Sequence, residues 1–212
     1  MGSQDRTWAA PWAPALPGSD VTAAAGAALY VAGMDDAALI ARVLDGDAKA
    51  FTAIVDRYHR DCSRFALRML GHRQDAEDAL QETFLSAYRG LARYRERQTF
   101  RAWLYRILIN RCRSVARQRR RRVHRFVRDD AAIEQATAGD GSGDAALGDT
   151  LQRALETLEP RLREAVLLKY GEGLDYQTMS EMTGARVSAL KMRVKRACDQ
   201  LRPQLESLDE HR

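Results

Sequence analysis

Apolar residues recur every three or four positions over residues 35–128, and this spacing predicts a series of amphipathic helices. We expect a short helix over 37–44, a longer one over 48–70, a third over 75–91 and a fourth from Phe100 past Val115. Gly46 and Gly71 separate the first three helices. Because no proline occurs between Pro17 and Pro160, no proline breaks these helices.

Residues 150–202 show the same helical spacing in shorter pieces. One helix is predicted around 151–158, and a second runs over 161–170 with Pro160 in its first turn, where proline is tolerated. Asp175 is placed to cap a short helix that ends near Met182. After a tight turn at Gly184, a last helix is expected over 188–201, with Pro203 ending it.

The remaining segments lack such a pattern. Residues 1–33 are rich in alanine and proline and are predicted to be a disordered tail, with Met34 as an alternative start. Residues 129–149 carry six acids and no Lys or Arg, which predicts a flexible acidic linker. The six are Asp129, Asp130, Glu134, Asp140, Asp144 and Asp149. The expected fold is therefore all-α, with two small helical domains over 34–128 and 150–205 and a short tail over 206–212.

Composition narrows the function classes. The 212 residues are 45% hydrophobic, which is enough for a core, and they contain no apolar run long enough to cross a membrane. The three cysteines are far apart in sequence, so neither a disulfide framework nor a zinc site is expected, and the usage fits a reducing cytoplasm. We find no nucleophile with a paired base, no phosphate-cradling loop and no cofactor motif. The sequence predicts no catalytic residue, metal or cofactor.

Charge is distributed very unevenly along the chain. The net charge is +5, but residues 101–128 alone contain 11 arginines and no acid. Several of these arginines lie near Tyr94, Phe100, Trp103 and Tyr105. Arginines interleaved with aromatic rings can hold a phosphate backbone and stack unpaired bases. The segment is therefore predicted to contact nucleic acid, although a solvated helix end would also explain the Arg run.

The last two helices match the helix-turn-helix plan, in which a short helix, a Gly-containing turn and a longer helix follow each other. At about 100° per residue, Leu190, Val194, Ala197 and Leu201 form one buried seam. The opposite face carries Ser188, Lys191, Met192, Lys195 and Arg196. A helix with one buried apolar face and one exposed basic face suits the major groove of DNA. An ordinary amphipathic helical hairpin with no DNA contact would also explain the pattern.

Two long motifs make a family resemblance specific. The segment DAEDALQETFLSAYRGL (75–91) and the segment FRAWLYRILINRCRS (100–114), together with the helix-turn-helix, resemble the sigma factors of bacterial RNA polymerase. The resemblance is to the small extracytoplasmic-function (ECF) branch, whose members have two domains, called region two and region four, joined by a linker. It covers roughly residues 35–125 and 150–205. It implies a transcription initiation factor without catalytic chemistry of its own.

The resemblance also implies which residues bind. The polymerase-docking face, which meets the clamp coiled coil of the large subunit, corresponds to Asp75, Asp78, Gln81 and Glu82. The element that captures melted −10 promoter DNA corresponds to Tyr94, Arg95, Arg97, Gln98 and Thr99, with Asn110 and Arg113 as further contacts. Phe100 and Trp103 fit either this element or the core, and for Trp103 we favour the core. The −35 reader corresponds to Ser188, Lys191, Met192, Lys195 and Arg196.

The family further implies the partners core RNA polymerase (clamp and flap), promoter DNA and an anti-sigma factor. Relatives often carry Gly-Thr where Ser188 and Ala189 stand here, so the base preference is left open. The acidic linker is expected to thread the polymerase cleft and to mimic nucleic acid there. The alternative function is a stand-alone helix-turn-helix regulator that acts without polymerase.

Overall fold

The computed structural model describes residues 34–95, 99–126 and 143–209, and within these residues all regular structure is helical. The described residues form eight α-helices: α1 Asp36–Leu44, α2 Ala48–Leu70, α3 Arg73–Gly90, α4 Phe100–Phe126, α5 Gly143–Thr157, α6 Pro160–Val166, α7 Tyr176–Thr183 and α8 Val187–Asp209. A 3₁₀ turn, Leu91–Arg93, follows α3, and α6 continues into a π-helical turn, Leu167–Gly171.

Helices α1–α4 form the amino-terminal domain, in which α2 packs against α1, α3 and α4. The side chain of Asp35 accepts a hydrogen bond from the backbone N–H of Ala38 (2.8 Å) and so caps α1. Gly71, with φ 77°, ends α2 in the left-handed region that favours glycine. Phe51, Phe65 and Tyr105 are the largest fully buried side chains of the core. The predicted starts of all four helices and the predicted ends of the first three are confirmed to within two residues.

Helices α5–α8 form the carboxy-terminal domain, which packs α6 and α7 against α8. Leu155, Leu168, Met179 and Leu190 are buried at 2% exposure or less. One of them lies on each of α5, the π-helical turn, α7 and α8, so each of these elements contributes a buried apolar side chain to the core of this domain. The all-α, two-domain prediction is confirmed.

Two predicted boundaries are wrong. The last helix does not end before Pro203 but continues through it to Asp209. A proline removes only one helical N–H bond, and because Pro203 is exposed, water can satisfy the carbonyl that loses its partner. The predicted flexible linker extends to Asp149, yet α5 begins at Gly143. Leu147, Leu151 and Leu155 keep a four-residue spacing, which extends that helix into the segment.

The remaining segments without a predicted pattern lie largely outside the described residues: the tail 1–33, linker residues 129–142 and the last residues 210–212. The two domains contact each other. The guanidinium of Arg163, on α6, donates a hydrogen bond to the backbone carbonyl of Met69 at the end of α2 (2.8 Å). Helix α4 also packs against α7.

Candidate nucleic-acid interface

Helix α8 separates a buried seam from an exposed basic face, as the sequence predicts. Leu190, Val194, Ala197 and Leu201 are 5% exposed or less. All five residues of the predicted groove-facing set are exposed: Ser188, Lys191, Met192, Lys195 and Arg196. The exposed side chain of Met192 is large and apolar, and such a group can contact a thymine methyl in the major groove.

Local features fix both ends of α7, the short helix before the turn that leads into α8. Asp175 caps α7, because its carboxylate accepts hydrogen bonds from the backbone N–H groups of Gln177 (2.8 Å) and Thr178 (2.9 Å). The Thr178 backbone and hydroxyl donors lower the pKa of Asp175 below its ordinary value. Gly184, with φ 70°, then ends α7 in the left-handed region. Asp175 thus fixes where α7 begins, and Gly184 sets the direction in which the chain leaves α7 toward α8.

Helix α3 presents the predicted polymerase-docking face. Asp78, Gln81 and Glu82 are exposed and Asp75 is half-buried, while Ala76, Leu80 and Phe84 on the opposite side are buried. Glu82 forms an exposed ion pair with Arg111 on α4 (3.2 Å). An exposed pair of this kind contributes little to stability, so the face remains accessible.

The segment between α3 and α4 holds an aromatic cluster of Tyr94, Phe100 and Trp103. Ring centroids are 5.3 Å apart for Tyr94 and Trp103, and 5.5 Å for Phe100 and Trp103. Phe100 is fully buried, and the half-buried Trp103 packs against the core beside Gly90. The structure thus favours a core role for both residues.

The residues predicted for −10 DNA contact occupy different environments. Arg95 and Thr99 are exposed, and Thr99 caps α4 by accepting a bond from the N–H of Ala102 (3.3 Å). Tyr94 is half-buried in the aromatic cluster, and Asn110 is exposed. Arg97 and Gln98 lie outside the described residues. Tyr94, Arg95 and Thr99 thus lie together near the start of α4, with Asn110 and Arg113 further along the helix.

Arg113 is hydrogen-bonded to the carboxy-terminal domain. Its guanidinium donates two hydrogen bonds, both 2.7 Å, to the carboxylate of Glu164 on α6, whose side chain is 2% exposed. These bonds raise the pKa of Arg113 above its ordinary value. In this arrangement the fork of Arg113 is occupied, and its predicted DNA contact stays a prediction.

A second carboxylate of the carboxy-terminal domain is held in the same way. Glu172, just after the π-helical turn, accepts hydrogen bonds from Arg101 (2.8 Å) and from the hydroxyl of Tyr105 (2.6 Å). Its side chain is also 2% exposed, and the guanidinium of Arg64 lies 3.9 Å away. Burial raises the pKa of Tyr105 well above its ordinary value, so the hydroxyl keeps its proton and donates.

The sequence analysis missed Glu164 and Glu172. Glu164 had a signal, because it lies one turn before the buried Leu168 and thus on a buried face of its helix, where a carboxylate requires a partner. Glu172 follows a Gly and precedes another, and its spacing carries no such signal.

The possible metal ligands and the free thiols of the described part of the chain are scattered or buried. No group of three or more His, Cys, Asp or Glu side chains is arranged to hold a metal ion there. Cys62 and Cys112 are buried free thiols, and burial raises the pKa of Cys112 to about 12, which makes it a poor nucleophile. None of the helices searched in these residues is both long and apolar enough to cross a bilayer.

Two helical domains, the second with an exposed basic helix that follows a tight turn, define a DNA-binding helix-turn-helix protein. The sequence model of Sigma-70 region 2 matches residues 54–122, and that of Sigma-70 region 4 matches residues 148–201. The ECF RNA polymerase sigma-E factor of Haemophilus influenzae is 30% identical over an alignment of 187 positions, gaps included, that covers 82% of this chain and 97% of that protein. The chain therefore belongs to the ECF sigma factors of RNA polymerase, a family of non-catalytic transcription initiation factors.

Solved structures agree with this assignment. The sigma factor RpoE from Bartonella quintana, solved in complex with the anti-sigma factor NepR, superposes with a TM-score of 0.61 at 27% identity. The alignment covers 75% of this chain and 98% of RpoE. CnrH, solved with the cytosolic domain of CnrY, has a TM-score of 0.63 at 24% identity and covers 81% of this chain and 97% of its own, which shows a shared fold.

Proposed function

We propose that this chain binds core RNA polymerase and directs it to specific promoters, reading the −35 duplex with α8 and capturing melted −10 DNA with the amino-terminal domain. The observation that carries the proposal is the exposed basic face of α8 above a buried apolar seam. Such a helix fits the major groove with one side and stays anchored to its domain with the other.

In the −35 complex, Lys191, Lys195 and Arg196 supply both affinity and base contacts. Lys and Arg near phosphates release counterions, so binding should weaken steeply as salt rises. Arg placed against a guanine edge adds sequence discrimination. Ser188 and Met192 complete the groove-facing set.

We assign the capture of −10 DNA to the segment between α3 and α4 and to α4 itself. Arg95, Thr99 and Asn110 are exposed there, and the half-buried ring of Tyr94 lies in the same segment. Arg97 and Gln98 belong to the same proposed set. Stacking an unpaired base on an aromatic ring contributes about 1–3 kcal/mol, which helps to offset the cost of opening the duplex.

The acidic face of α3 (Asp75, Asp78, Gln81 and Glu82) is proposed to dock on the clamp coiled coil of the large polymerase subunit, with the flap as a second contact. RpoE is bound by an anti-sigma factor in its solved structure. We propose a partner of the same class for this chain, and we place the chain in the cytoplasm with its polymerase.

The stand-alone regulator is the less favoured alternative, because the region 2 match over residues 54–122 assigns the amino-terminal half to sigma factors. In vitro transcription with purified bacterial core polymerase and a library of promoter-like fragments separates the two functions. Our proposal requires protein-dependent transcripts from fragments that share a −35/−10 pattern. Tight duplex binding by the protein alone, with no transcripts at any fragment, would support the stand-alone regulator instead.

A further inference from the structure

The contact between the two domains contains a set of charged and polar groups that we name the interdomain clasp: Glu164 and Glu172 of the carboxy-terminal domain with Arg101, Tyr105 and Arg113 of the amino-terminal domain. Four hydrogen bonds of 2.6–2.8 Å join the two sides. They connect residues 51 to 71 positions apart in sequence, so they bring together parts of the chain that no local helical pattern brings together.

The burial of the two carboxylates makes this contact specific. Each is 2% exposed, so each has given up its water and depends on the partners across the interface. Removal of one member of such a pair leaves a buried charge without compensation. The closed arrangement is therefore stabilised by interactions that exist only while the domains touch.

The donors of the clasp belong to the arginine-rich helix that the proposed function places on DNA. Arg113 grips Glu164 with two parallel N–H···O bonds, and the same fork binds a phosphate group. Arg101 and Arg113 lie on α4, on either side of Asn110, a proposed −10 contact. A carboxylate of one domain and a phosphate of the promoter thus compete for the same guanidinium groups.

We propose that the free chain inhibits its own DNA binding through this clasp, and that DNA must displace Glu164 and Glu172 before the arginines of α4 can bind it. The proposal rests on the proposed function for the identity of the DNA surface. It requires no second protein to hold the domains together. The apparent affinity for DNA is then reduced by the small fraction of molecules that are open.

The test uses the full chain carrying one dye on each domain, at Thr52→Cys on α2 and Gln177→Cys on α7, both exposed positions, in a Cys198→Ser background. Cys62 and Cys112 are buried and remain in place. Energy transfer is compared between the clasp variant, Glu164→Gln with Glu172→Gln, and a control variant, Glu159→Gln with Glu181→Gln. The control acids are exposed, lie in the same domain and give the same change in net charge.

We expect lower energy transfer in the clasp variant than in the control. We also expect it to bind a single-stranded DNA of roughly 15 nucleotides at least about tenfold more tightly than the control. Equal transfer and equal affinity in the two variants would overturn the proposal. The control is essential, because the loss of two negative charges raises DNA affinity by itself.

If the clasp variant fails to fold, the labelled chain that keeps Glu164 and Glu172 tests the proposal. Its energy transfer should fall as the same DNA is added, and unchanged transfer at saturating DNA would overturn the proposal. None of these measurements involves polymerase. An open clasp variant with no promoter-directed transcription would refute the proposed function alone, whereas normal transcription with no change in transfer would refute the clasp alone.

Discussion

Replacement of Arg196 by Ala tests the proposed −35 reader directly. An α-helix with its side chains is about 10–12 Å across, which matches the ~12 Å width of the major groove, and the groove-facing residues from Ser188 to Arg196 span about 12 Å along α8. Arg196 is exposed, and no ion pair to another described residue holds it. Its loss should therefore leave the fold intact, with a change in stability within about 0.5 kcal/mol.

The expected effect on function is larger. A side chain that reads a base edge contributes about 1–3 kcal/mol of discrimination, which is a factor of about 5 to 150 in affinity. We expect in vitro transcription by the Arg196→Ala variant to fall by a factor in this range on a promoter with its preferred −35 element. On a promoter with a scrambled −35 element, where the contact is already lost, the fall should be much smaller.

Arg202→Ala is the matched control, because Arg202 is exposed on the same helix but lies beyond the groove-facing set. It should affect both promoters weakly and equally. Two results would refute the reasoning. An equal loss on both promoters for Arg196→Ala would mean that the side chain touches only phosphate, and no loss on either would mean that another surface reads the −35 element.

Three further predictions follow from other parts of the molecule. The double variant Asp78→Ala with Glu82→Ala should bind core polymerase more weakly while circular dichroism shows unchanged helicity. The control Glu77→Ala, outside the docking set, should bind as the wild type does. Equal polymerase affinities for the double variant and the control would refute the docking face. Neutralising the six acids of residues 129–149 should change abortive synthesis or promoter escape, and no change in either would remove the mimicry hypothesis. Asp175 has a lowered pKa in the folded chain, so its stabilisation is complete above the unfolded value of about 3.9 and is lost as the pH falls through the folded pKa. Asp175→Ala should therefore lower the thermal midpoint at about pH 6 more than at pH values below the folded pKa, and a pH-independent effect would contradict the capping role.

Local pattern accounts for the elements and the faces that the sequence analysis placed correctly. The seam of α8 was predictable because Leu190, Val194 and Ala197 follow the helical repeat, and burial of one repeat exposes the residues between. The same periodicity accounts for the exposed acidic face of α3, because Asp78, Gln81 and Glu82 fall between the positions of its buried apolar stripe. Each of these inferences needs only neighbours within two turns.

The interdomain contact could not be predicted in that way. Arg113 and Glu164 are separated by 51 residues. Helical periodicity predicts which residues share a face, but it does not predict which charge on one domain contacts which charge on the other. From the sequence the eleven arginines of residues 101–128 look like one uniform basic surface, although Arg101 and Arg113 are bonded to buried carboxylates. Pro203 was misleading for a related reason, because the cost of a proline depends on whether water reaches the carbonyl it leaves unpaired.

The ion pairs between the domains also limit how this protein can be recombined with its relatives. Glu164 and Glu172 belong to one half of the chain, and the three groups that satisfy them belong to the other. A chimera that joined this amino-terminal half to a carboxy-terminal half with apolar side chains at those two positions would keep both folds but leave Arg101 and Arg113 unmatched. Such a hybrid inherits the ability to bind DNA and loses the means to restrain it, so the two halves act as a matched set rather than as interchangeable modules.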